Sequence, residues 1–217
     1  MKKIFTLIAA VAFATSASAQ VLSFDTKYDA GKVPASFSNG DLVLSVTDTA
    51  GKHVVDDNTQ YFGTADSYVS FTKRLKSGGK SSSKNNLTLT LPTDGTLKVY
   101  ARTGSNGATD RNIVLTQNET ELVNKILLES EAGKATIDEV ETNVYPVITV
   151  EAKKGDVAIT YPVNSVNIYA IELVGTSNGV STILTPKADG KTFNLAGVQV
   201  SENAKGLKIK NGKKFVK

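Results

Sequence analysis

Tyr100 and Arg102 stand two residues apart in the run Lys98-Val-Tyr-Ala-Arg-Thr, and Arg111 follows the glycine-containing stretch Gly104 to Ala108. Period-two alternation puts Tyr100 and Arg102 on the same face of a strand. An aromatic ring stacks on the C–H face of a sugar, and a guanidinium grips a carboxylate through two parallel hydrogen bonds. The trio therefore suits an acidic glycan. Lys76, Lys80 and Lys84 decorate the Leu75 to Asn86 segment, read as flexible, and extend the basic character. The same residues also have a plainer use, with Tyr100 packed between sheets and the two arginines bridging acidic loops. Sequence alone leaves both open.

Catalysis has less to stand on. The chain has no Cys, so disulfides and thiolate metal sites are excluded, and its one histidine, His53, reads as a polar residue of an edge strand or loop. No nucleophile elbow, phosphate loop or zinc helix is present. Asp56-Asp57 and the Glu139/Glu141 pair look like ordinary loop carboxylates, whereas an acid–base pair must face across a cleft at roughly 5–9 Å. No catalytic residue and no cofactor is assigned. Asp25, Asp29, Asp48 and Asp110 leave a structural calcium open, since that ion wants six to eight oxygens.

The elements that must position these groups are strands. Leu42, Leu44 and Val46 alternate with Val43, Ser45 and Thr47, Leu87, Leu89 and Leu91 with Thr88 and Thr90, and Leu97, Val99 and Ala101, beyond the Asp94-Gly95 turn, with Lys98, Tyr100 and Arg102. The last two runs read as an antiparallel hairpin. Val69 to Leu75, Ile113 to Leu115, Leu122 to Leu128, Val144 to Val150 and Val157 to Tyr161 continue the pattern. Val166 to Val174 is apolar on both faces, with Ile168, Ala170 and Val174 on one and Tyr169, Ile171 and Leu173 on the other. It reads as a central strand. Glu129 to Thr142 reads as a long surface loop with one helical turn. About ten short strands at close spacing indicate an all-β, antiparallel β-sandwich.

Both ends differ from this body. Met1-Lys2-Lys3, the apolar run Ile4 to Ala14 and Ala17-Ser18-Ala19 form an export signal over 1–19, cut before Gln20 and too short to remain as a transmembrane anchor. The sandwich spans 20–174, a Thr/Ser/Gly-rich linker 175–191, and a small β-hairpin unit 192–217 built around Ala196-Gly197 and Asn211-Gly212. The net charge of +4 is unevenly spread. From Gln20 to Leu184 there are 15 basic and 19 acidic residues, whereas Thr185 to Lys217 holds 8 lysines against Asp189 and Glu202. A mildly acidic body argues against nucleic acid as partner.

The blocks Arg74-Leu-Lys-Ser-Gly-Gly-Lys, Asn86-Leu-Thr-Leu-Thr-Leu-Pro, Gly95-Thr-Leu-Lys-Val-Tyr-Ala-Arg-Thr-Gly-Ser, Arg111-Asn-Ile-Val-Leu, Ile159-Thr-Tyr-Pro and Asn167-Ile-Tyr-Ala-Ile-Glu-Leu-Val resemble the non-catalytic β-sandwich module of secreted bacterial pectate lyases. That module is similar to galactose-binding-like jelly rolls and carbohydrate-binding modules. The resemblance covers about Asp25 to Val174 and implies an antiparallel jelly-roll β-sandwich and association with plant-wall, pectic polysaccharide; it assigns no ligand residues. Phe193-Asn-Leu-Ala-Gly-Val-Gln-Val and Lys205-Gly-Leu-Lys-Ile-Lys-Asn-Gly-Lys-Lys-Phe-Val-Lys resemble the C-terminal sorting domain of the type IX (Por) secretion system. This implies that secretion machinery engages the tail and that the protein is secreted or displayed on the outer cell surface. The expected function is non-catalytic polysaccharide binding. An envelope adhesion module and a small polysaccharide lyase are the alternatives.

Overall fold

The computed structural model describes residues 19–175 in full, together with four strands of the tail; residues 1–18 of the proposed signal and 176–191 of the proposed linker lie outside the described residues. The chain divides into two compact units, Met1–Thr176 and Ser177–Lys217. In chain order the first contains β1 (Ala19–Ser23), β2 (Ser36–Asn39), β3 (Leu42–Asp48), β4 (Val54–Thr64), β5 (Ser67–Lys76), β6 (Asn85–Leu91) and β7 (Gly95–Thr103). There follow β8 (Asn112–Gln117), β9 (Thr120–Ile126), β10 (Gly133–Ile137), β11 (Val140–Tyr145), β12 (Ile148–Ala152), β13 (Gly155–Thr160) and β14 (Val166–Gly175).

Two sheets form a β-sandwich. One runs β10-β11-β4-β5-β14-β7-β12, with β1 also paired to β14; the other runs β2-β3-β6-β13-β8-β9. All the pairings are antiparallel except β11 with β4. The alternating leucines explain the layering. Leu42 and Leu44 of β3, Leu87, Leu89 and Leu91 of β6, and Val157 and Ile159 of β13 face Leu97 and Val99 of β7 and Ile171 and Leu173 of β14. Each is at most 1% exposed. Burying one such side chain stabilises the fold by roughly 1.5–3 kcal/mol.

Several expectations need correction. The runs around Leu89 and Val99 do not form a hairpin, because β6 pairs with β3 and β13 while β7 pairs with β14 and β12. The turn at Asp94 is thus an arch between the sheets, letting both strands aim their leucines at one core. Glu129 to Thr142 is more than a loop. After a short 3-10 turn at Glu129–Glu131, β10 and β11 pair around Asp138 and Glu139, both at positive φ as a tight hairpin turn demands. The apolar run Val144 to Val150 splits at Pro146 into β11 and β12. Asp56 and Asp57 lie in β4, not in a loop.

β14 is central, as its two-sided apolarity demands, but strict alternation misassigns its faces. A bulge between Ile168 and Ala170 places Tyr169 and Ala170 together in a second, outer cluster while Ile168, Ile171 and Leu173 stay in the main core. Tyr169 is fully buried.

In the second unit, β15 (Thr192–Asn194), β16 (Gln199–Val200), β17 (Leu207–Lys210) and β18 (Lys213–Val216) form a four-stranded sheet in the order β16-β15-β17-β18. The β17–β18 pairing brackets Asn211-Gly212, where the sequence places a tight turn.

Candidate functional site

β5 pairs with β14 only at Asn167 and Ile168; from Ala170 onward β1 occupies that edge. The rest of the β4–β5 hairpin therefore diverges from β14. Its rings pack on the outer side of the sheet, with Phe71 5.0 Å and Phe62 5.8 Å from the Tyr100 ring centroid, and Phe62 5.1 Å from that of Tyr169. Tyr145 closes the cluster against Phe62 at 5.9 Å. This second aromatic layer lies outside the sandwich core and carries two adjoining hollows.

The first is an open trough of about 290 Å³ lined by Phe62, Gly63, Ser67, Tyr68, Val69, Lys98, Tyr100, Val147 and Thr149. Tyr68 and Val69 are 40% and 47% exposed, which is high for large apolar side chains on a paired strand. Tyr68 is held edge-on by Tyr61 at 5.7 Å. Lys98 and Tyr100 both donate to Glu172, through Nζ at 3.2 Å and the phenol at 2.5 Å. Desolvation, and then the carboxylate partner, push the Tyr100 pKa well above the ordinary phenol value. Tyr100 is thus a fixed, protonated donor and no general base.

The second hollow, a cavity of about 230 Å³, lies where β12 and β9, the edge strands of the two sheets, come together. Val147 and Thr149 line both hollows. Arg102, nine-tenths buried, lies in the wall of this cavity with its guanidinium carbon 5.0 Å from the Tyr145 ring centroid. Its Nη2 donates to Asn106 Oδ1 at 2.5 Å and to Glu129 Oε1 at 2.6 Å.

The structure thus puts Tyr100 and Arg102 on one side of β7, each at its own hollow. Arg111 lies elsewhere: its Nη1 donates to the carbonyl and hydroxyl oxygens of Ser165, at 3.2 and 2.7 Å, tying the β13–β14 turn to the start of β8. The trio does not converge on one surface. The Leu75 to Asn86 segment is pinned rather than flexible, because Asn85 and Ser77 are buried and Asn85 Nδ2 donates to the carbonyls of Ser77 and Lys80. Sequence reasoning missed Lys98, Glu172, Tyr68 and Val69 as site residues. Lys98 and Glu172 are opposite charges on the runs read as strands, which gave a signal, but only the β7–β14 register pairs them.

His53 lies in the loop that leads into β4, as read from the sequence, but it is fully buried there beside Tyr161. Among the described residues, no group of three or more His, Cys, Asp or Glu gathers as a metal site, and no helix is long and apolar enough to cross a membrane.

No family model matches the chain, and no curated protein matches it. Several solved structures are similar to it, two of them as follows. One belongs to work on the Ruminococcus flavefaciens cellulosome, whose complexity is described as reflecting an expansion in glycan recognition. It shares 12% identity over 73% of this chain and 95% of its own, with a TM-score of 0.36. The other is the isomalto-dextranase of Arthrobacter globiformis T6 complexed with panose, at 11% identity over 68% of this chain and 23% of its own, with a TM-score of 0.30. Likenesses of this strength carry no functional argument, so function must be read from the hollows themselves.

Proposed function

We propose that the protein binds polysaccharide, without cleaving it, in the trough on the outer side of the β7–β12 sheet. The observation that supports this is the pairing of an exposed aliphatic side chain, Val69, and the neighbouring Phe62 and Tyr100 rings with polar groups, Lys98 and the Tyr100 hydroxyl, that Glu172 holds in place. A sugar ring offers a C–H face to the first and hydroxyls to the second. The volume suits one or a few sugar units, near the lower end of the ~300–1,000 Å³ of ligand pockets. A non-catalytic role agrees with the Tyr100 proton being held against Glu172.

In its finer form the reading is of a secreted or surface protein that recognises pectic, plant-wall polysaccharide. Cleavage after Ala19 is compatible with the fold, because Gln20 to Ser23 keep their register with β14 and Leu22 stays buried. The basic tail is then the sorting element. Affinity electrophoresis through gels containing polygalacturonate, xylan or a β-glucan tests the binding. Retardation by at least one gel, weakened in Val69→Ala, is expected; retardation by none sinks the carbohydrate reading. N-terminal sequencing of exported protein should begin at Gln20.

A further inference from the structure

Arg102 stands in the wall of a cavity whose other lining is largely aliphatic, including Leu127, Leu128 and Val147. We propose that this cavity receives a neutral acyl ester carried by the glycan bound in the trough, with the ester carbonyl accepting a hydrogen bond from Arg102. The inference rests on the carbohydrate reading above.

Four observations lead to it. First, the two hollows share Val147 and Thr149, so a substituent on a sugar in the trough reaches the cavity within one side chain. Second, the charges in the lining are already matched: Arg102 with Glu129 at 2.6 Å, and Lys125 with Glu131 at 2.7 Å. A carboxylate entering between aliphatic walls would be an uncompensated charge, and a bare hydroxyl would face hydrocarbon. Third, donors remain. Only Nη2 of Arg102 donates among the described residues, which leaves Nη1 without an acceptor and open to a ligand, whereas Nε is fully buried and closed to the cavity. A guanidinium offers five N–H groups, and an unmatched one in an apolar wall favours a carbonyl oxygen. Fourth, at about 30 Å³ per water the cavity would hold seven or eight waters, which is room for an acetyl group or a longer acyl chain.

The test compares O-acetylated polygalacturonate and O-acetylated xylan, each with its alkali-saponified counterpart, by affinity electrophoresis and calorimetry. The acetylated form should bind about tenfold more tightly, the worth of one buried methyl and one hydrogen bond together. Val123→Phe, which fills the cavity from β9, should erase that preference while leaving affinity for the saponified chain unchanged. Arg102→Lys, which keeps a cation for Glu129, should reduce it. Equal binding of acetylated and saponified chains by the wild-type protein overturns the acyl site and leaves the trough standing. Binding of neither form overturns the acyl site, and overturns the trough as well when a β-glucan gel is not bound either. A preference that persists in a folded Val123→Phe variant also overturns it, by placing the acyl group elsewhere.

Discussion

The imidazole of His53 and the phenol of Tyr161 lie 3.0 Å apart in the interior, and the proton between them belongs to the imidazole. The assignment follows from the next link. Asn85 commits its Nδ2 to two carbonyls, so its Oδ1 faces Tyr161 and accepts the phenol proton at 3.1 Å. Tyr161 has only one proton to give, and must itself accept from His53 Nε2. A neutral His53 then has a bare Nδ1, which makes no hydrogen bond and lies 3.4 Å from Asp48 Oδ1.

Stability should therefore depend on pH through His53. Burial depresses its pKa below the ordinary 6.5, outweighing the opposing attraction of Asp48. With the folded-state value below the unfolded one, the stabilisation is complete above pH 6.5 or so. As the pH falls through that value, the unfolded chain takes up the proton first and stability drops, until the folded imidazole is protonated as well. Thermal melts between pH 8 and 5 should show a falling Tm below about 6.5. His53→Gln should flatten that limb; an unchanged slope in the variant would assign the effect to other groups.

Removing the exposed side chains of the trough should separate binding from folding. Tyr68→Ala and Val69→Ala each truncate a side chain that is 40–47% exposed, so the loss of stability should stay within about 1 kcal/mol. Retardation in a polysaccharide gel should nevertheless fall in Val69→Ala, whose side chain shares the trough side with Phe62, and hold in Tyr68→Ala, whose ring packs on Tyr61 across the hairpin. Unaltered retardation in the double variant would move the ligand off this surface.

How far this was legible from the sequence depends on what each signal reports. Leu42, Leu87, Leu97 and Val157 declare the sandwich because alternation over a strand measures which side is buried. Alternation does not say which strands are neighbours. Hence the β6–β7 arch read as a hairpin, and the β10–β11 hairpin, poor in apolar residues, read as a loop. The same limit governs the site. That Tyr100 and Arg102 share a side follows from their spacing, but Glu172 reaches Tyr100 only through the β14 register, and the bulge at Tyr169 that shapes the aromatic layer breaks the very periodicity used to assign faces. Arg111 was drawn to the site by its residue type, when its hydrogen bonds lie across a turn.

Arg111→Ala should accordingly damage stability and spare the glycan. The guanidinium is part-buried and makes two hydrogen bonds to Ser165, so its loss should cost about 1–2 kcal/mol, or several degrees in Tm for a domain of this size. Affinity for any polysaccharide retained by the wild-type protein should stay the same. A selective loss of affinity with no change in melting would restore Arg111 to the binding surface.

Gly78 gives the sharpest test of the pinned segment after β5. It sits at φ +62°, and a Cβ there would meet the Lys52 carbonyl oxygen at 2.0 Å, a backbone atom that a rotamer change cannot move. Its neighbour Ser77 accepts the Val166 N–H at its hydroxyl and the Asn85 amide at its carbonyl, so displacing Gly78 disturbs the start of β14 and the polar chain through Asn85 to Tyr161 and His53 together. The αL backbone alone costs an L-residue about 1 kcal/mol, and the clash adds to it. Gly78→Ala should lower Tm by more than Arg111→Ala does, and amide exchange should quicken at Val166 and Ser77 before it does in the β6–β13 core. A variant that melts like the wild-type protein would mean that this segment bends freely.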